Sequence, residues 1–219
     1  VTAVSFTRDG RNLAAAYGRH ARMWALESGE VSARLEAADK SISALAVTPE
    51  ENILATVDSR GTARVWNGNT GRLKNSFAID DAGATCAALA RGGELLAVGT
   101  QRKQILLFNT DSGERRAVLK SHEDWVLSLA ISPDGALLAS SGADATVRLW
   151  SLPDGEPVRT LEGHEGSVYA VDFSPDGKHA ITGAADARIM LWEVETGEAL
   201  ATLTGHTGPV YGVCYLPGG

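Results

Sequence analysis

The chain has 219 residues, 44% of them hydrophobic and 21% charged, with 24 glycines, a composition that excludes a disordered, collagen-like or coiled-coil chain. Its formal net charge is -7, from 20 Lys and Arg against 27 Asp and Glu. That disfavours a general nucleic-acid surface, which needs a basic field to displace counterions from phosphates.

The longest apolar stretches are short, such as Ile105 to Phe108 and Val126 to Ile131, well under the roughly 20 residues a membrane span needs. No charged and then apolar leader opens the sequence and no Asn-x-Ser/Thr sequon occurs. Nothing argues for secretion or a membrane, and the expected location is cytoplasmic. Cys86 and Cys214 sit far apart in apolar, strand-like runs, so both are expected to be free, buried thiols. The charge is lopsided: residues 1–109 carry a net +2 and residues 110–219 a net -9, which suits a basic or mixed partner for the second half.

A fixed period decides the fold, and here it is 42 residues. Trp24, Trp66, Phe108, Trp150 and Trp192 keep that step, and so do Gly29, Gly71, Gly113, Gly155 and Gly197. Leu35, Phe77, Leu119, Leu161 and Leu203 keep it as well, as do Gly93, Gly135, Gly177 and Gly219. In chain order the units are 1–36, 42–78, 84–120, 126–162 and 168–204, followed by 210–219. The fourth unit shows the pattern most clearly. Val126 to Ile131 is an apolar strand, and Ser132-Pro133-Asp134-Gly135 is a tight turn with Pro presetting φ and Gly accepting a positive φ. Ala136 to Ser141 is the second strand and Gly142-Ala143-Asp144-Ala145 the next turn. Thr146 to Trp150 alternates apolar and polar residues as a third strand, and Val158 to Leu161 is the fourth. Such a four-stranded antiparallel sheet cannot bury both faces alone and must stack on its neighbours.

Gly163-His164, Ser174-Pro175-Asp176-Gly177, Asp186 and Trp192, in that order, make the unit resemble the WD40 repeat, and the resemblance covers essentially the whole chain. None of the units has Asp after the aromatic; Ala25, Asn67, Asn109, Ser151 and Glu193 stand there. The resemblance implies an all-β fold, a β-propeller of four-stranded antiparallel blades, with five complete blades and the first strand of a sixth. Val1 to Gly10 aligns with Val210 to Gly219, and no Met opens the chain. The expectation is therefore a piece of a longer, seven-bladed ring that self-associates or closes imperfectly when isolated, the rival being a self-closed five-bladed ring with Val210 to Tyr215 displaced or supernumerary.

The resemblance also implies a structural hydrogen-bonded network: His122, Ser140, Asp144 and Trp150 in the fourth unit, and His164, Thr182, Asp186 and Trp192 in the fifth. These groups imitate a hydrolase triad, and a hydrolase or lyase at the channel mouth is the alternative reading. Repetition at a fixed phase argues against it, because a catalytic site is needed once. Ala38, Thr56 and Arg60, and Asp80, Val98 and Arg102, occupy the network positions in the second and third units, which are expected to be looser. His122, His164 and His206 form a ladder, but packed sheets are about 10 Å apart, too far for three rings to share a zinc at roughly 2 Å. No metal is expected. The glycines follow the turn period and not a phosphate-binding loop, so no cofactor is expected either.

Family resemblance places binding side chains three and five residues after the network His and just before the turn Asp. Those positions hold Trp125 and Leu127, Ser167 and Tyr169, and Pro209 and Tyr211. Arg60 and Arg102 stand where the turn Asp of the second and third units would be, and Glu123, Asp124 and Glu165 lie beside the aromatics. Trp, Tyr and Arg dominate interface energies. The expected function is a non-catalytic scaffold, of the kind used in signalling, that binds a protein or peptide partner at the channel-mouth face and involves neither nucleic acid nor membrane.

Overall fold

The computed structural model describes residues 3–7, 10–36, 40–48, 53–79, 83–120 and 122–216. Val1, Thr2, Ala38, Asp80 and Gly219, to which the repeat register gives roles, lie outside the described residues. All regular structure among the described residues is β-strand, and no helix there is long and apolar enough to cross a membrane. The chain divides into two compact units, 1–98 with 106–116 and 99–105 with 117–219.

Among the described residues, twenty strands form five four-stranded antiparallel meanders. The first sheet is β1 (Ala3–Phe6), β2 (Asn12–Tyr17), β3 (His20–Ala25) and β4 (Val31–Glu36), and the second is β5 (Ile42–Val47), β6 (Ile53–Asp58), β7 (Thr62–Asn67) and β8 (Arg72–Ala78). The third is β9 (Ala84–Leu89), β10 (Leu95–Thr100), β11 (Gln104–Asn109) and β12 (Arg115–Lys120). The fourth is β13 (Val126–Ile131), β14 (Leu137–Gly142), β15 (Thr146–Ser151) and β16 (Pro157–Glu162). The fifth is β17 (Val168–Phe173), β18 (His179–Ala184), β19 (Ile189–Glu193) and β20 (Ala199–Leu203).

Burial follows from stacking. The second strand of a sheet is covered on both faces, as in β6 and β10, where every residue is buried, and it reads as a continuous run of small and branched apolar residues. The fourth strand is an edge and alternates, as Arg72–Ala78 does, with Arg, Lys and Pro blunting the row of unpaired backbone groups. In the first unit one core packs Met23, Leu35, Ile42, Leu54 and Trp66 between the first two sheets. In the second unit Val147, Leu149 and Leu161 of the fourth sheet pack on Val168, Phe173 and Trp192 of the fifth.

Two local features repeat with the period. The ladder between third and fourth strands slips just before the Trp, at Met23/Trp24, Val65/Trp66, Leu149/Trp150 and Leu191/Trp192. The turn after the aromatic then needs a glycine for two reasons. Gly113 has φ +73°, and a Cβ there would come within 2.8 Å of Phe77 Cβ. Gly197 has φ +79°, and a Cβ would collide with the Arg159 side chain. The left-handed backbone and the close approach of the neighbouring fourth strand both exclude a side chain.

The segment 210–216, expected to open a sixth blade, follows the fifth sheet and carries no ladder pairing. It is fastened to that sheet by Val210 N–H to Ala184 O and Tyr215 N–H to the Asp172 carboxylate, both 2.9 Å. Val210 and Val213 sit over Gly183, where a Cβ would come within 2.7 Å of Val210 Cγ1. Cys86 and Cys214 are not disulfide-bonded, but neither is buried: Cys86 is half-buried and Cys214 exposed. The expectation of a buried Cys214 fails because no sheet forms around it.

Candidate functional site

The fourth and fifth sheets each hold a closed polar chain. Trp150 Nε1 is 2.9 Å from Ser140 Oγ, which is 2.8 Å from His122 Nε2, and His122 Nδ1 is 2.9 Å from Asp144 Oδ2. An indole nitrogen only donates, so the Ser140 oxygen accepts from Trp150 and turns its own proton to His122 Nε2. The ring is then a neutral imidazole with its proton on Nδ1, donated to Asp144. Asp144 Oδ2 also accepts the Glu123 N–H, and Oδ1 accepts the Thr146 N–H and hydroxyl. The fifth sheet repeats the chain: Trp192 Nε1 to Thr182 Oγ1 at 2.9 Å, Thr182 to His164 Nε2 at 2.8 Å, and His164 Nδ1 to Asp186 Oδ2 at 2.9 Å.

The titration of the fourth-sheet pair agrees with that assignment. Burial pushes the His122 pKa below its ordinary value, and the hydrogen bond and charge of Asp144 do not reverse the shift. Burial acts on Asp144 in the opposite sense to its bonds, yet the Glu123 N–H and the His122 ring together hold its carboxyl below the usual range. Asp186 is held down in the same way, burial being outweighed by the Glu165 N–H and the His164 ring. A neutral imidazole beside a carboxylate satisfies every member of a buried chain, the condition under which such a network stabilises. Ser140 and Thr182 are fully buried, His122 and His164 nearly so. The hydroxyls are spent on Trp and His, out of reach of any substrate, and the four side chains tie strands together. Each of the two buried histidines uses both ring nitrogens, and among the described residues no cluster of three or more His, Cys, Asp or Glu could hold a metal.

The second and third sheets differ from their expected description. Thr56 Oγ1 still accepts from Trp66 Nε1 at 3.0 Å, so part of the chain survives. The turn is tied by Asp58, two positions ahead of the expected aspartate. Its carboxylate accepts the Arg60 and Thr62 N–H groups and pairs with the Arg64 guanidinium at 2.8 Å. In the third sheet the Thr100 hydroxyl donates to Gln104 O at 3.1 Å and accepts the Arg102 N–H at 3.3 Å. The sequence cue was Asp58-Ser59-Arg60-Gly61, an Asp at the first position of a turn.

The binding positions lie where each first strand begins. A string of hydrogen bonds runs through the second unit there: Ala143 N–H to Trp125 O, the Ser167 hydroxyl to Ala143 O, Ala185 N–H to Ser167 O, and Val210 N–H to Ala184 O. It fixes the backbone at or beside Trp125, Tyr169 and Tyr211 along one rim. Leu127 and Tyr169 also sit on β-bulges, since the ladders slip between Val126 and Ser128 and between Val168 and Ala170. A bulge re-aims the side chain it carries. Trp125 is 47% exposed and Tyr211 71%. Tyr169 is half-buried and meets Tyr211 at 4.9 Å between ring centroids, tilted 33°. Leu127 and Ser167 are half-buried and Pro209 is exposed. Arg102 is exposed on the β10–β11 turn of this unit, and Arg60 is exposed on the β6–β7 turn of the other.

A comparison with curated proteins returned no match. The WD40 family, described as WD domain, G-beta repeat, matches residues 29–67, 113–151 and 155–193, more than half of the chain. Each match opens on a turn glycine, Gly29, Gly113 or Gly155, and closes one residue after Trp66, Trp150 or Trp192. The unmatched window between them carries Phe108 in place of Trp. WD40 propellers are typically non-catalytic scaffolds for protein–protein interaction. Five four-stranded meanders, two of them carrying the Trp–hydroxyl–His–Asp chain in register, together with these matches, show that the chain belongs to the WD40-repeat family.

Proposed function

We propose that the chain is a non-catalytic scaffold that takes a peptide or loop of a partner protein on the face a WD40 propeller turns to its channel mouth. The observation that carries this reading is the rim string: four hydrogen bonds linking Trp125, Ala143, Ser167, the Ala184–Ala185 turn and Val210 order the loops that carry or adjoin Trp125, Tyr169 and Tyr211, with Trp125 47% and Tyr211 71% exposed. Pre-organised aromatic anchors bind with little loss of side-chain freedom. Leu127 borders them, and Arg60 and Arg102 are candidate contacts on their own turns. Catalysis finds no support here, because the only Ser–His–Asp and Thr–His–Asp groupings described are buried and internally satisfied.

Cytoplasmic action suits a chain in which Cys86 and Cys214 form no disulfide and Cys214 is exposed. Nucleic acid is disfavoured by the -9 net charge of residues 110–219. The triple change Trp125→Ala, Tyr169→Ala and Tyr211→Ala is expected to weaken binding of a partner peptide selected on the wild-type chain, with the Tm little changed. Unaltered affinity on titration of that peptide would overturn the site.

A further inference from the structure

Resting on the rim as the binding face, we propose that the segment it captures is basic, presenting an arginine or lysine beside an apolar residue to Trp125, Tyr169 and Tyr211. The aromatic faces favour this, since a ring carries its negative quadrupole on its face and attracts a cation placed over it. Trp125 is about half exposed and Tyr211 mostly so, with one neighbouring ring, Tyr169, against it.

The surrounding charge favours it too. Glu123 and Asp124 are exposed immediately before Trp125, and Glu165 is exposed ahead of Tyr169. Their backbone is held: the Glu123 and Glu165 N–H groups donate to Asp144 and Asp186, and the Trp125 N–H to Asp124 Oδ1. The backbone that carries these charges is therefore held next to Trp125 and ahead of Tyr169, and the Asp124 carboxylate is bonded to the Trp125 N–H. Glu165 pairs with Arg188 at 3.0 Å, but both side chains are well exposed, and such a pair contributes little and exchanges readily with an incoming cation. Beyond the rim, the net -9 of residues 110–219 draws a basic segment in and repels an acidic one.

The experiment is a selection of random displayed peptides on the whole chain, counter-selected against the triple aromatic variant. Enriched sequences are expected to carry Arg or Lys at a fixed position. Titration of the best peptide is expected to show about a tenfold loss with the double variant Glu123→Gln and Asp124→Asn, which keeps the Asp124 acceptor, and a similar loss when the peptide's cation is changed to Gln. Rim-dependent peptides that are acidic or uncharged, or that ignore the double variant, overturn this inference and leave the scaffold reading standing. A selection that yields no rim-dependent peptide overturns both.

Discussion

A single neutral histidine explains much of the fourth sheet's interior. Replacing His164, its counterpart in the fifth sheet, by Ala leaves the buried Thr182 hydroxyl and the Asp186 carboxylate without their partner and opens a cavity. The expected cost is about 2–4 kcal/mol in urea unfolding; a catalytic role alone would leave stability untouched. Acidification tests His122. Its folded pKa lies below the ordinary 6.5 because burial disfavours the charged ring, so as pH falls the unfolded chain binds the proton first and stability drops from about 6.5 downward, until the folded pKa is passed. Asp144 and Asp186, held below 3.8, add stability that is full above that value and lost later, as pH falls through their depressed folded values. Urea midpoints that stay flat from about pH 7 to pH 5 would contradict the His122 assignment. These residues were legible because they recur at one phase with side chains that fit one bonding chain. Asp58 was missed, because it ties its turn two positions out of the repeat register and through Arg64, with no histidine, so its cue was the local turn sequence and not the period.

Strands were legible to within a residue or two wherever turn chemistry brackets them. Ser132-Pro133-Asp134-Gly135 separates β13 from β14 because the Ser132 oxygen accepts the Leu137 N–H at 2.9 Å and its proton goes to Asp134 at 2.6 Å. The segment 210–216 has the same alternating apolar residues yet joins no ladder, since a strand is defined by its partner and not by its own side chains alone. Its anchor suggests an element-level test. Burial raises the pKa of Asp172 on β17 despite the N–H bonds from Tyr215 and Phe173. The raised folded value means the protonated form is favoured below 3.8 and that advantage is lost as pH rises through the folded pKa. Asp172→Asn, which keeps an acceptor for Tyr215 and cannot ionise, is expected to raise the Tm at neutral pH and to change little in strong acid. An equal or lower Tm at neutral pH would sink this account.

Positions covered in other sheets are bare on β1 in one unit and on β20 in the other. Val4 on β1 is 54% exposed, whereas Leu45, Leu129 and Val171 in register with it are 8%, 9% and 6% exposed. Leu203 on β20 is 53% exposed, against 2% for Leu35, 5% for Leu119 and 1% for Leu161. Each repeat contacts only its neighbours, so an outer face without a polar cap drives association. Light scattering is expected to show species larger than a monomer, and Val4→Lys with Phe6→Lys to reduce them; a monodisperse wild-type monomer would refute the expectation. The all-β stack was readable from the period of 42 alone. The rim positions Trp125, Tyr169 and Tyr211 were legible only through the family resemblance, while the bonds that order the loops around them, three between backbone groups and one from the Ser167 hydroxyl, leave little mark on residue type.

The family matches begin at the turn glycine and not at the first strand, so each repeating stretch gives its opening strand to one sheet and its remaining three to the next. Neighbouring repeats overlap like roof tiles, fastened by covalent chain as well as by packing. Removing one period of 42 residues at any phase takes one strand of each kind and leaves a splice that completes a sheet, whereas removing half a period takes two strands and leaves a sheet incomplete. A gene for such a chain can therefore gain or lose blades by recombination at almost any point, and this tolerance comes from the offset between what repeats and what folds.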